Sequence, residues 1–179
     1  MSSEHGHLHH IGQSGAAGCD ESPHVKTLAD GSLAPDFELL DQDGKPHRLS
    51  KLVERGPVVL FFYPAAGSSG CTREAVHFRD LVTRFAAAGA HRVGISTDDV
   101  ATLEGFAMAE ELDFPLLSDT DGLVATAYGV RRRFITPVKR ATFIIDERQK
   151  IVEVIASETN MHVHADRALE VLDRISSRA

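Results

Sequence analysis

The sequence predicts an α/β domain, a mixed β-sheet covered by helices, on three observations. First, Val58 to Phe62 is an unbroken apolar run, rich in β-branched and aromatic residues and too short for a helix, as a strand buried on both faces requires. Second, Ala75, Val76, Phe78, Leu81, Val82 and Phe85 follow at helical intervals, and a strand-like run from His91 to Ser96 and a helical stretch from Val100 to about Leu112 repeat the alternation. Third, the β-rich runs Arg140 to Ile145 and Ile151 to Ile155 are joined by the short polar stretch Asp146 to Lys150, the pattern of an antiparallel hairpin. Strand and helix alternation followed by a hairpin and a helix gives a sheet of mixed direction. At 179 residues the chain has the length of one domain with a full core.

Taken in order, residues 1–31 are rich in His, Gly and Ser without apolar periodicity and predict a flexible tail, leaving 32–179 as the folded domain. His5, His7, His9 and His10 are metal-ligand types, but an unstructured tail supplies no fixed coordination geometry, so no metal site is expected there. Phe37, Leu39 and Leu40 predict a short strand, Asp41 to Gly44 a turn, and Pro46 to Leu49 a return strand, adding an N-terminal hairpin to the sheet. Ser50 to Val53 can form a helical turn before Gly56-Pro57 breaks it. Gly89 stops the helix that follows the central strand, and Asp98 or Asp99 caps the next. Leu116 and Leu117 read as a short strand and Gly122 to Tyr128 as a short helix. Asn160 can cap the final helix, whose stripe of Ala165, Ala168, Leu169, Leu172 and Ile175 packs on the sheet.

Composition excludes several function classes. A formal net charge of -7 gives no overall basic footprint for nucleic acid, and the local run Arg131-Arg132-Arg133 reads as a solvated loop face. No stretch is apolar for long enough to cross a bilayer, and the N-terminus lacks a basic flank followed by an apolar segment, so the expected address is cytoplasmic. Two cysteines, Cys19 and Cys71, are too few for the framework of a small secreted domain.

The chemistry centres on Cys71. Pro64 stops the central strand, the small residues from Ala65 to Gly70 turn the backbone, and Cys71 falls in the first turn of the following helix. There the unpaired amides and the positive end of the helix dipole favour thiolate over thiol, and Arg73 would add to this if it turned inward. From position alone, a buried structural cysteine is an equal reading.

The segment FFYPAAGSSGCTREAVHF resembles the active-site signature of the peroxiredoxins, a Pro-x-x-x-Thr/Ser-x-x-Cys pattern after a core strand, matched here by Pro64, Ser68 and Cys71. Tyr63 precedes the proline, and Thr72 and Glu74 follow the cysteine. Arg140 to Asp146 is similar to the family's arginine-bearing strand. Within the family the chain resembles the bacterioferritin comigratory protein (PrxQ) branch, from about Leu33 to Ile175.

The resemblance implies a thioredoxin-like fold and a thiol-dependent peroxidase. Cys71 would be the nucleophile and be oxidised to sulfenic acid. Ser68 would bond the thiolate and orient the peroxide, Arg140 would stabilise thiolate and developing oxyanion, and Pro64 would shield the pocket. Tyr63, Thr72 and Glu74 would support them, Glu74 by steering an arginine.

The chemistry explains why such support is needed. An ordinary thiol is already a few per cent ionised near neutrality, so full ionisation is worth only about 2 kcal/mol, and the remaining acceleration must come from placed donors and in-line positioning. Each residue also has a plainer reading: Ser68 as a turn former, Arg140 as an edge-strand charge, Pro64 as a strand terminator. His77, His162 and His164 match no pattern and read as surface or packing residues.

One departure concerns recycling. The PrxQ branch often carries a resolving cysteine one turn beyond the peroxidatic one, where this chain has Val76. A one-cysteine cycle with an external thiol is therefore expected, with Cys19 as the alternative resolving thiol, disfavoured because ordering a tail costs entropy. Expected partners are a peroxide and a thiol reductant such as thioredoxin, glutaredoxin or a low-molecular-weight thiol, without nucleic acid or membrane, the assembly being a monomer or homodimer. No metal or organic cofactor is expected, because sulfur itself carries the oxidising equivalent.

Two rivals stand beside this reading. A thioredoxin-type disulfide reductase would need a cysteine at position 68, where serine stands. A non-catalytic redox adaptor or holdase on the same fold would show no dependence of peroxide loss on Cys71.

Overall fold

The unbroken apolar run at Val58–Phe62 (β3) becomes the middle strand of a five-stranded sheet because both of its faces are covered. Val59 and Phe61 point to one face, and Val58, Leu60 and Phe62 to the other, all fully buried. The computed structural model describes residues 26–178. Around β3 the sheet is completed by His91–Ser96 (β4), Leu116–Ser118 (β5), Ala141–Ile145 (β6) and Ile151–Ala156 (β7), in the order β5-β4-β3-β6-β7. The β3–β4 and β4–β5 pairs are parallel, and β3–β6 and β6–β7 antiparallel. This is the mixed, helix-covered sheet that the sequence predicts, in a thioredoxin-like fold.

The predicted N-terminal hairpin forms from Glu38–Leu40 (β1) and Pro46–Arg48 (β2), paired antiparallel in a separate two-stranded sheet. Its turn is held by Asp41, whose carboxylate accepts the amides of Asp43 at 2.8 Å and Lys45 at 3.0 Å. Leu49–Leu52 (α1) and a 3₁₀ turn at Val53–Arg55 lead into β3.

The helix after β3 is not continuous through Phe85: Ser69–Asp80 (α2) ends at Leu81, whose φ of -93° and ψ of 18° leave the helical region, and Val82–Ala87 (α3) follows. Val100–Ala109 (α4) is capped by Asp99, which accepts the Thr102 amide at 2.8 Å. Leu123–Ala127 (α5) and His162–Ser177 (α6) complete the chain. Asn160 caps α6 as expected, accepting the Val163 amide at 3.2 Å.

One side of the sheet packs against α2, α3, α4 and α6 through Phe61, Phe78, Phe85, Leu103, Ala168 and Leu172. Phe61 and Phe78 stack with ring centroids 4.2 Å apart. The other side carries Leu60, Phe62, Ile95, Phe143, Tyr128 and Phe37.

The predicted domain boundary assigns residues 26–31 to the tail, but they lie against the domain. Leu28 donates its amide to the Tyr128 carbonyl at 3.2 Å and Gly31 to that of Ile151 at 2.7 Å, while Lys139 Nζ reaches Thr27 Oγ1 at 2.7 Å. Cys19, His5, His7, His9 and His10 lie outside the described residues. Among the described residues no helix is long and apolar enough to cross a membrane.

Candidate active site

Strand alternation and helix periodicity bring one buried cluster together from three elements. On α2, Cys71, Glu74, Ala75 and Phe78 are buried at the spacing i, i+3, i+4, i+7, so sulfur and carboxylate share the face turned to the sheet. At β6, Arg140 precedes Thr142 and Ile144 at period two, and Ile144 lies in the core beneath α2 and α6. Arg140 and Thr142 are therefore aimed at the same helices.

The guanidinium is the bridge. Arg140 donates from Nη2 to the Cys71 sulfur at 3.4 Å and from Nη1 to Glu74 Oε2, with Cys71 and Glu74 inaccessible and Arg140 nearly so. Its backbone amide donates to Glu158 Oε1 at 3.3 Å, and the same oxygen accepts from Arg132 at 2.7 Å. Burial pushes the Glu74 carboxyl up to about 7, against the opposing pull of Arg140. One positive charge thus serves two acids, the thiol and the carboxyl.

The loop before α2 is fixed from beneath. Gly67 adopts φ of +81°, a conformation glycine enters without strain, and the Ala66 amide donates to Asp98 Oδ2 at 2.8 Å. The first helical backbone bond runs from the Thr72 amide to the Ser68 carbonyl at 2.9 Å. The amides of Ser69, Gly70 and Cys71 precede it and are left for a ligand or solvent.

The sequence-predicted residues divide on inspection. Cys71, Arg140 and Glu74 are brought into contact, and Glu74 holds the arginine as the resemblance implies. Pro64 is buried at the end of β3. Tyr63 is buried in the apolar cluster that includes Cys71, and its hydroxyl lacks a partner.

Two expectations differ. The Ser68 hydroxyl does not bond the sulfur: the side chain is exposed and donates to the Ala65 carbonyl at 3.0 Å, because the extended Ser68 backbone closes the turn before the helix. Arg73 does not turn inward but is exposed on the outer face of α2, so the positive charge beside the sulfur comes from Arg140. Thr72 is half-buried and supplies its amide to the first turn.

His164 is the buried polar residue that sequence reasoning left among surface and packing histidines. It is inaccessible to solvent, with Nδ1 2.8 Å from Thr142 Oγ1, Nε2 2.9 Å from the Ser157 carbonyl, and Nδ1 3.9 Å from Glu74 Oε1. A signal was present: His164 lies four residues before Ala168 on the α6 stripe, and Thr142 is a polar residue at Arg140's strand parity. His77 and His162 instead stack near the surface, with His77 2.7 Å from Asp166. Among the described residues no group of three or more His, Cys, Asp or Glu side chains is arranged to hold a metal ion.

Comparison with known proteins places this geometry. Residues 31–154 match the AhpC/TSA family model. The structure of the peroxidoxin BcpB from Mycobacterium tuberculosis is 53% identical with a TM-score of 0.80, covering 83% of this chain and 98% of that one. The chloroplastic peroxiredoxin Q of Triticum aestivum is 37% identical over 149 residues, 83% of this chain and 68% of the relative. The bacterioferritin comigratory protein of Xanthomonas campestris, whose structures concern its alkyl peroxide reduction activity, is 25% identical with a TM-score of 0.75, over 84% of this chain and 99% of that one. The chain belongs to the AhpC/TSA family, in the PrxQ branch of the peroxiredoxins, and is a thiol-dependent peroxidase.

Proposed function

We propose that Cys71 is the thiol that attacks the peroxide, and that Arg140, held by Glu74, is the group that stabilises the reacting oxygens. The observation that carries this reading is the Arg140 Nη2 contact with the Cys71 sulfur, made while Nη1 is tied to Glu74. In the reaction the thiolate sulfur forms a bond to one peroxide oxygen as the O–O bond breaks. The other oxygen leaves with the bonding pair and takes a proton, giving water from hydrogen peroxide or an alcohol from an alkyl hydroperoxide. Sulfur is oxidised by two electrons to sulfenic acid. The guanidinium meets the charge that develops on the departing oxygen, and the first-turn amides of α2 offer further donors. Ser68 acts by closing the turn that presents those amides, and Pro64 by walling the pocket from water.

Recycling is proposed to use an external thiol. That thiol attacks the sulfenic sulfur with loss of water to give a mixed disulfide, and a second thiol releases Cys71 and leaves as a disulfide. Thioredoxin, glutaredoxin or a low-molecular-weight thiol fits this chemistry. Val76 stands where the PrxQ branch often carries its resolving cysteine, which supports a one-cysteine cycle, proposed to run in the cytoplasm. The alkyl peroxide activity of the Xanthomonas campestris relative supports including organic hydroperoxides as substrates.

Rapid-mixing measurement of stoichiometric peroxide loss tests the reading. Cys71→Ser is expected to abolish the fast phase. Arg140→Ala is expected to slow it about 10²- to 10³-fold, the scale for loss of one charge-stabilising donor, and Ser68→Ala less than about tenfold. Equal rates for Cys71→Ser and the parent would overturn it.

A further inference from the structure

We propose that His164 is a positioning residue for the peroxidase reaction: in its neutral form it fixes the elements that aim Glu74 and Arg140 at Cys71, and a proton gained by it withdraws that support. The inference rests on the reading of Cys71 as the attacking thiol.

Its geometry determines its tautomer. The Ser157 carbonyl can only accept, so Nε2 carries the hydrogen and donates to it at 2.9 Å. Nδ1 is then the acceptor, and the Thr142 hydroxyl donates to it at 2.8 Å. One imidazole thereby ties α6 to β6 and to the β7–α6 connection, the segments that flank Arg140. The next polar atom is Glu74 Oε1, 3.9 Å from Nδ1, a fully buried oxygen without a hydrogen-bond partner while Oε2 holds Arg140.

The charged groups facing His164 are Glu74 from α2, Arg140 beside β6, and Glu158 from the β7–α6 connection. Burial, aided by the Arg140 charge and opposed by the Ser157 carbonyl and Glu158, holds the imidazole below its ordinary value and so neutral in the working protein. A second proton would occupy Nδ1. The Thr142 hydroxyl would lose its acceptor, and the vacant Glu74 oxygen would acquire a cationic donor in competition with Arg140. The guanidinium would then lose the anchor that orients it on the sulfur.

The test is single-turnover oxidation of Cys71 by hydrogen peroxide as a function of pH, followed by rapid quench and mass analysis. It is made in a Cys19→Ser background so that one thiol is observed, and each rate is divided by the thiolate fraction read from thiolate absorbance at the same pH. The parent ratio is expected to fall as pH drops below about 6.5, the ordinary imidazole value. His164→Gln is expected to be roughly tenfold slower at neutral pH, the scale of a modest misplacement, and to keep only the shallower acid-side fall that protonation of Glu74 gives. Thr142→Ser, which keeps the hydroxyl, is expected to retain the parent profile, and Thr142→Val to lose it.

A flat ratio in the parent overturns the proposal without recourse to any variant. So does a neutral-pH rate within twofold of the parent in folded His164→Gln. An acid-side fall as deep in His164→Gln as in the parent belongs to Glu74 alone and also overturns it. Should His164→Gln not fold, the Thr142 pair decides, equal profiles for Ser and Val counting against the proposal. Failure of the Cys71 reading itself looks different, because no oxygen would then be found on Cys71 at any pH.

Discussion

At the scale of single residues, the site is a problem of one cation shared between two acids. Arg140 must face the Cys71 sulfur, and the Glu74 carboxylate is what fixes the second arm of its fork. Glu74→Gln removes the charge while preserving shape, so oxidation of Cys71 by peroxide is expected to slow by about tenfold, or about 1.4 kcal/mol, in a rapid-quench assay. His164 adds a stability effect whose sign follows from burial. Its folded pKa is depressed, so the native state disfavours the proton: stability is complete above the ordinary imidazole value and is lost as pH falls. Glu74, pushed up by burial, changes stability in the opposite sense but is common to the parent and His164→Gln. The difference between their urea midpoints is therefore expected to move against the parent between about pH 7 and about pH 5. Gly94 tests the packing of the sheet behind the site. A Cβ there would meet Leu116 Cδ2 and Phe61 Cζ at 2.9 Å and Tyr63 Cε1 at 3.1 Å. Gly94→Ala is expected to cost about 1–3 kcal/mol in urea unfolding, as overpacking does.

At the scale of elements, the strength of the hydrophobic signal decided what was legible. β3, β4, β6 and β7 stand out because apolar β-branched runs bounded by turns have few alternatives, and α6 because its stripe holds for about three turns. The break at Leu81 was hidden, since Leu81 and Val82 keep the helical spacing while the backbone leaves it. Cys71, Glu74 and Arg140 were legible as a set through the two signatures and sit together. Ser68 was legible as a position but not as a contact, because whether a hydroxyl closes a turn or faces a sulfur depends on one side-chain rotation. His164 was passed over because its partners, Thr142 and Ser157, are remote in sequence and only the packing of α6 on the sheet joins them. That packing has a direct check. Phe78 stacks on Phe61 and links α2 to β3, so Phe78→Ala is expected to cost about 3–5 kcal/mol by denaturant unfolding and to weaken the register that presents Cys71.

At the scale of the whole molecule, the sheet divides the labour. Its face under α1 and α5 carries apolar packing, while on the other face α2, β6 and α6 enclose the buried polar cluster at one end of the central strands. On the proposed reading, catalysis by such a cluster makes the protein a two-stage device, oxidised at Cys71 and restored by a thiol from outside. Turnover of Cys19→Ser with excess low-molecular-weight thiol is expected to match the parent, and non-reducing electrophoresis after one equivalent of peroxide to show no Cys19-dependent disulfide. The most direct test of the account is where the peroxide oxygen goes. After millisecond mixing with one equivalent of hydrogen peroxide, mass analysis is expected to find the added oxygen on Cys71, at a rate cut about 10²-fold or more by Arg140→Ala. Oxidation elsewhere, or at a rate indifferent to residue 140, would contradict it.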